Sequence, residues 1–385
     1  MSYPSIDQLQ KALAQEVFHY AQDKKKAAGR ALGTLVEVIT FYVLKSWNFH
    51  EHIAIERPLP EYSNEDITHN VEYSLHPSAP IANIEFPSDY LPLSVAKIVK
   101  ALASHGITVK NHHRKTHQLL SSDCVLRNAC TIADEDGSFL VATLTNMSKE
   151  TISVTVNRLF SRPFAIAECK RVGVEEGTRK GPQTIEKAKQ GAYVARTVSS
   201  LQKIRLPSDE IGDSKIGGVF AAADGKLICK EYDDFIQEIV NTDNPDLLRR
   251  FILTVGVVSN HGNWFTSDNH NKELKVLAQS YDWLLFLTDH GLAEFINDLI
   301  LKPSKNNEPV RKAFLTSYKG KSGANQFTKI QMAYPADQVL QQYFASNAKK
   351  VESWFNVIAP RSKTLKLLRA ELRGLAGKNW QEIHR

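Results

Sequence analysis

Three short segments, Phe164-Ala165-Ile166-Ala167, Phe251 to Val258 and Trp283 to Leu287, are largely apolar at successive positions rather than at alternate ones. Side chains along a strand point alternately to two faces. A run that is apolar on both faces reads as a strand buried on both sides, in the middle of a covered sheet. A sheet of that kind needs helices packed on it. The chain is therefore expected to be α/β, with a mixed central β-sheet flanked by helices and helical additions at both ends.

The first of these segments ends abruptly in Glu168-Cys169-Lys170-Arg171. By alternation Phe164, Ile166, Glu168 and Lys170 share one face, and Ala165, Ala167 and Cys169 share the other. An ionised carboxylate on a buried strand is costly unless it is paired or bound to a metal. A carboxylate with a lysine two positions on suits metal-assisted phosphodiester hydrolysis. The acid holds a divalent ion, and the ammonium orients a water or stabilises charge growing on the phosphate.

Around this strand the pattern predicts helices over 6–21 and about 27–47. In the second, Leu32, Leu35, Val36, Ile39, Val43 and Leu44 recur at helical spacing. Residues 56–92 carry prolines and polar residues with little periodicity and read as a long connection with short extended pieces that could form a surface arm. A helix over 93–104 with Gly106 as its cap precedes a strand at 107–109. Segments 124–132, 139–146 and 152–159 are β-rich, with Asp136-Gly137 as a hairpin turn. Residues 182–204 read as an amphipathic helix, 304–327 as a polar loop, and the C-terminus as helical from about 336 with a break near Pro360. The expected organisation is 1–105 as an N-terminal helical region, 106–300 as the core, and 301–385 as a basic loop with a helical end.

At 385 residues the chain is long enough for a large core, and its formal charge of +6 is mildly basic. That charge permits nucleic-acid binding without requiring it. Basic residues gather at Lys24-Lys25-Lys26, between His112 and Lys115, from Lys170 to Arg205, and at Lys363, Lys366, Arg369 and Arg373. The apolar stretches 32–44 and 252–258 are too short or interrupted to span a bilayer, and no signal-peptide pattern opens the chain. The four cysteines form no CxxC pair, as expected in a reducing cytoplasm.

The strand Ile166-Ala167-Glu168-Cys169-Lys170, followed by an amphipathic segment, resembles the third core strand and ExK signature of the PD-(D/E)xK nuclease superfamily, in particular its type II restriction endonucleases. The resemblance implies a restriction-endonuclease-like core and an acid from the preceding strand that converges with Glu168 on Mg²⁺. Asp123, at the start of the apolar Cys124-Val125-Leu126, is the first choice for that acid. It lacks the family's preceding proline and stands further from Glu168 than is usual. Asp134, Asp136 and Glu150 are rivals, and strict hairpin register would point instead to Thr155 or Asn157.

The resemblance further implies that Asp123, Glu168 and the carbonyl of Cys169 bind one or two Mg²⁺, with Lys170 at the attacking water. Glu37 matches a glutamate that many members place near the metal. Gln190 is similar to a helix glutamine found in some, at a spacing one residue shorter. Arg171, Arg179, Lys180, Lys187, Lys189 and Gln190 are the expected DNA contacts. The implied activity is sequence-specific cleavage of double-stranded DNA leaving 5′-phosphates, by a homodimer with a cognate DNA methyltransferase as functional partner. A structure-specific repair or recombination nuclease of the same fold, and a non-catalytic DNA-binding protein, are the alternatives.

Three other groupings are weaker. His112, His113 and His117 lack regular ligand spacing. Ser259-Asn260-His261-Gly262-Asn263-Trp264 ends a buried strand and could line a DNA cleft. The glycines at 320 and 323 do not form a Walker loop, which needs GxxxxGK[ST].

Overall fold

A computed structural model describes residues 6–59, 70–110, 112, 117–172, 194, 199–205, 216–222, 224–260, 272–319 and 325–383. The protein is mixed α/β. Its contacts group into two interleaved units rather than into contiguous thirds. The first comprises Met1–Ile55, Ser78–Arg162 and Asp289–Trp354, and the second Glu56–Pro77, Pro163–Thr288 and Phe355–Arg385.

In the first unit, α1 (Ile6–Glu16) buries Ile6, Leu9, Gln10 and Leu13, one helical stripe. Helix α2 (Lys24–Ser46) starts at Asp23, whose carboxylate accepts from the Lys26 N–H at 2.9 Å. This helix is long and apolar enough to cross a membrane by length and composition, and 67% of its most apolar window is buried inside the protein. Its packing is that of a core helix, with Leu32, Leu35, Val38, Ile39 and Tyr42 enclosed.

Strands β3 (Ser78–Pro87), β7 (Cys130–Glu135), β8 (Ser138–Met147) and β9 (Thr151–Phe160) form an antiparallel sheet in the order β3-β9-β8-β7. Gly137, at φ 66°, makes the β7–β8 turn read from Asp136-Gly137. One face packs Ile84, Ile132, Leu140, Ala142, Val154 and Val156 against Ile98 and Leu102 of α3 (Val95–Ser104). A smaller sheet runs β16-β6-β5-β4, with β4 Leu93–Ser94, β5 Gln118–Leu120, β6 Val125–Arg127 and β16 Gln331–Ala333.

The second unit is built on a six-stranded sheet in the order β1-β2-β10-β14-β15-β17, and the boundary between units falls inside β1 (Ile53–Arg57). Strands β10 (Ala165–Val172), β14 (Leu253–Asn260) and β15 (Trp283–Leu287) are parallel neighbours at its centre. These are the three apolar runs of the sequence. Antiparallel β2 (Val71–Leu75) and β17 (Phe355–Ala359) flank them. The helix Lys272–Ser280 links β14 to β15 and contributes Leu274 and Leu277 to a core with Ile166, Val258, Leu284 and Phe286. A three-stranded antiparallel sheet, β11 (Leu201–Arg205), β12 (Ile216–Ala221) and β13 (Leu227–Glu231), leads into the helix Tyr232–Asn241.

Several expectations are corrected. The stretch 56–92, read as a connection with short extended pieces, supplies β2 and the ten-residue β3, full members of two sheets. The buried Glu72 and Ser74 broke the apolar pattern of β2. Prolines 80 and 87 masked β3, which tolerates them because it is an edge strand with an irregularity between Pro80 and Ala82. Residues 304–327 contain the helix Glu308–Lys319, held by Val310, Ala313 and Phe314. Most of the expected helix over 182–204 lies outside the described residues, but its end, 201–204, belongs to β11, and 107–109 are not a strand. The C-terminal segment includes β17, not helix alone.

A candidate carboxylate–lysine site

Strand β10 pairs with β2 through Ala165↔Leu75, Ile166↔Ser74 and Ala167↔Tyr73. One more step brings Glu168 opposite Glu72, and directly opposed residues of an antiparallel pair lie on the same face. The recorded ladder stops at that step, and the two side chains bond to the main chain there. The Glu72 N–H donates to Glu168 Oε1 at 3.1 Å, and the Cys169 N–H donates to Glu72 Oε2 at 2.5 Å. Each carboxylate thus receives a main-chain N–H of the opposite strand. Both acids are buried, with Glu168 2% and Glu72 4% exposed.

Lys170, two residues on and on the same face, places Nζ 3.5 Å from Glu168 Oε2 while a third of its side chain stays exposed. The alternation read from the sequence accounts for this pair. Cys169 points to the other face and is buried. All four cysteines of the chain are free thiols.

On the far side of β10, Glu168 registers with Gly256 of β14. A Cβ at Gly256 would come within 2.7 Å of Tyr281 Cδ2 and 3.0 Å of Leu284 Cδ1. The glycine therefore makes room for the Tyr281 ring beside the acids. Burial first, then the Glu168 and Glu72 charges and Cys169, push the Tyr281 hydroxyl well above the usual tyrosine range. Tyr281 is in turn anchored by its carbonyl, which accepts from Lys203 Nζ at 2.5 Å.

Two buried carboxylates on one face repel, and such pairs persist by sharing a proton or a cation. The oxygen-only donor set of Glu72 and Glu168 suits a hard divalent ion such as Mg²⁺. No group of three or more His, Cys, Asp or Glu arranged for a metal occurs among the described residues. The arrangement here is two acids and an ammonium.

The other sequence candidates belong to other elements, except Arg171. Asp123 belongs to the first unit, on an exposed turn between β5 and β6, and is not on the strand beside Glu168. Glu37, also in the first unit, pairs with the buried Lys329 at 3.3 Å. Thr155 and Asn157 are on β9 and Asp134 on β7 of the four-stranded sheet, and Asp136 stands at the β7–β8 turn. Arg171, still on β10, donates from Nε to the Asn260 carbonyl at 3.2 Å. Arg179, Lys180, Lys187, Lys189 and Gln190 lie outside the described residues, as do His113 and the segment from His261 to Trp264.

Sequence reasoning missed Glu72 and Tyr281. The available signal for Glu72 was an acid within the short β-prone Val71-Glu72-Tyr73, but nothing in the spacing tied it to Glu168, 96 residues away. Comparison with known proteins gives no match to a family model, a curated protein or a solved structure.

Proposed function

We propose that this chain is a type II restriction endonuclease of the PD-(D/E)xK kind, which hydrolyses double-stranded DNA at a defined sequence with Mg²⁺ and leaves 5′-phosphates. The observation that carries the reading is Glu72 facing Glu168 from the neighbouring strand, with Lys170 two residues beyond. The second acid of the reading is Glu72 rather than Asp123. The reading requires a restriction-endonuclease-like core, and a mixed sheet with acids on two adjacent strands supports it.

Glu72 and Glu168 would hold the divalent ion, with the Cys169 carbonyl as a further oxygen donor. When bound, such an ion supplies Lewis acidity and a lowered pKa for water. Lys170 spans from the buried Glu168 toward solvent, so its ammonium is placed to orient the attacking water or to meet charge developing on the phosphate. The Glu168 carboxylate fixes that ammonium, and the Tyr281 ring encloses the acids from the Gly256 side. Arg171, at the end of the same strand, serves phosphate binding. Arg179, Lys180, Lys187, Lys189 and Gln190 extend that role along the following segment. A cytoplasmic homodimer acting beside a DNA methyltransferase completes the reading.

The test is incubation with long phage DNA and Mg²⁺, followed by sequencing of the fragment ends. Discrete fragments with a common terminal sequence are expected. A ladder, or cutting confined to junctions and flaps, would assign the site to a repair or recombination nuclease instead. No cleavage, together with no thermal stabilisation by Mg²⁺ or Ca²⁺, would leave a DNA-binding protein without a metal site.

A further inference from the structure

The second unit contains two adjoining cavities at the edge of the sheet where β14 and β15 begin. The larger, of about 440 Å³, is lined by Lys203, Ile216, Asp233, Leu274, Ile358 and Arg361 among others. The smaller, of about 170 Å³, is lined mainly by polar groups that include Ser199, Thr254 and Asp282. They share Lys203, Tyr232, Gln279 and Asp282. Close-packed interiors leave few spaces of this size, and the combined volume suits a small organic ligand.

The lining divides into groups that are satisfied and groups that are not. Asp282 accepts from the Tyr232 hydroxyl and from the Thr254 N–H and hydroxyl, the latter two at 2.8 Å. Lys203 donates to the Ala278 and Tyr281 carbonyls at the end of a helix. These residues build the wall. Three others have side chains with no hydrogen-bond or ion-pair partner among the described residues. Ser199 is 7% exposed with its hydroxyl unpartnered. Asp233, half-buried, has no bonding partner, and the cations acting on it are Lys363 and Lys203. Arg361 is exposed at the lining and likewise unpaired.

We infer that this cavity binds a small ligand carrying both an amine and an anionic group on a partly apolar body. The amine meets the unpaired Asp233, the anion meets Arg361, and Ile216, Leu274, Ile358 and Pro360 take the apolar part, while the Ser199 hydroxyl offers a further hydrogen-bond partner in the smaller cavity. Burial already pushes the Asp233 carboxyl above its usual range, so the group gains by acquiring a hydrogen-bond donor. Two sources offer the required chemistry: a nucleotide whose base has an exocyclic amine, and a free amino acid.

The site is independent of the nuclease reading, and its test reads binding rather than cleavage. Isothermal titration of the full chain uses AMP, CMP, UMP, leucine, adenosine and inorganic phosphate. AMP or CMP binding about tenfold tighter than UMP, adenosine and phosphate identifies the nucleotide source, and leucine binding alone identifies the amino acid. Asp233→Asn is expected to weaken the bound ligand about tenfold, and Arg361→Ala to remove its advantage over the form lacking the anion. Circular dichroism melting of both variants confirms that they fold. The inference is overturned if no probe binds at about 10 mM, or if folded Asp233→Asn and Arg361→Ala bind like the parent.

Discussion

Asp337 in the first unit and Glu168 in the second are both almost fully enclosed, at 1% and 2% exposure, yet they face different things. Asp337 accepts from the Tyr42 hydroxyl at 2.6 Å, from Lys45 at 2.9 Å and from Gln341 at 2.5 Å. Every contact is a donor, and the acid closes a helix–helix contact between α2 and the helix Tyr334–Ser346. Glu168 accepts a main-chain N–H and faces a lysine, but it also faces a second acid on the neighbouring strand. Burial of a carboxylate therefore does not mark function by itself. The second like charge sets Glu168 apart from Asp337 and is what motivates the proposed site.

The sharpest way to break the contrast is to remove each acid. Glu168→Gln and Lys170→Ala are expected to lower Mg²⁺-dependent cleavage by about 10²–10³-fold while melting close to the parent. Wild-type rates in both variants would end the site assignment. Glu72→Gln belongs to the same group, and an equal loss there would show that Glu72, not Asp123, is the partner acid.

Asp337→Ala should do the reverse. It strands the Lys45 ammonium and the Tyr42 hydroxyl, at a cost of about 3–5 kcal/mol in urea unfolding. Cleavage by the molecules that remain folded should be unchanged.

A third acid sharpens the comparison through pH. Glu371 is buried, and burial pushes its carboxyl up to about 7, against the Trp283 and Gln237 hydrogen bonds that pull it down. Its folded pKa lies above the unfolded one, so its contribution to stability is complete below about 4.5 and is lost as pH rises through 7. Stability should fall by roughly 2 kcal/mol between pH 5 and 8 on this account. Glu371→Gln should flatten that slope, and an unchanged slope would mean that another group titrates.

A further acid, Glu37, pairs with the buried Lys329, and its replacement by Gln, which keeps an amide oxygen as acceptor for that ammonium, should cost about 1–3 kcal/mol of stability and leave cleavage intact. A large loss of cleavage would return Glu37 to the catalytic set.

The local pattern made much of the second unit legible. Successive apolar residues marked β10, β14 and β15, and alternation placed Glu168 and Lys170 on one face, as the structure has them. Strand β2 was hidden because its buried positions include Glu72 and Ser74, polar residues enclosed by tertiary pairing rather than by their own apolarity. Strand β17 was hidden by the helical segments around it, and the helix Glu308–Lys319 by its polar outer face.

The sequence by itself determined which segments are interior strands and which carboxylate and ammonium end one of them, because period and apolarity are local properties. Which second acid stands against Glu168, and that Gly256 admits Tyr281 beside the pair, were decided only when β2, β10 and β14 came together. Register between strands distant along the chain is fixed by packing and hydrogen bonding in three dimensions, and no spacing along one strand encodes it.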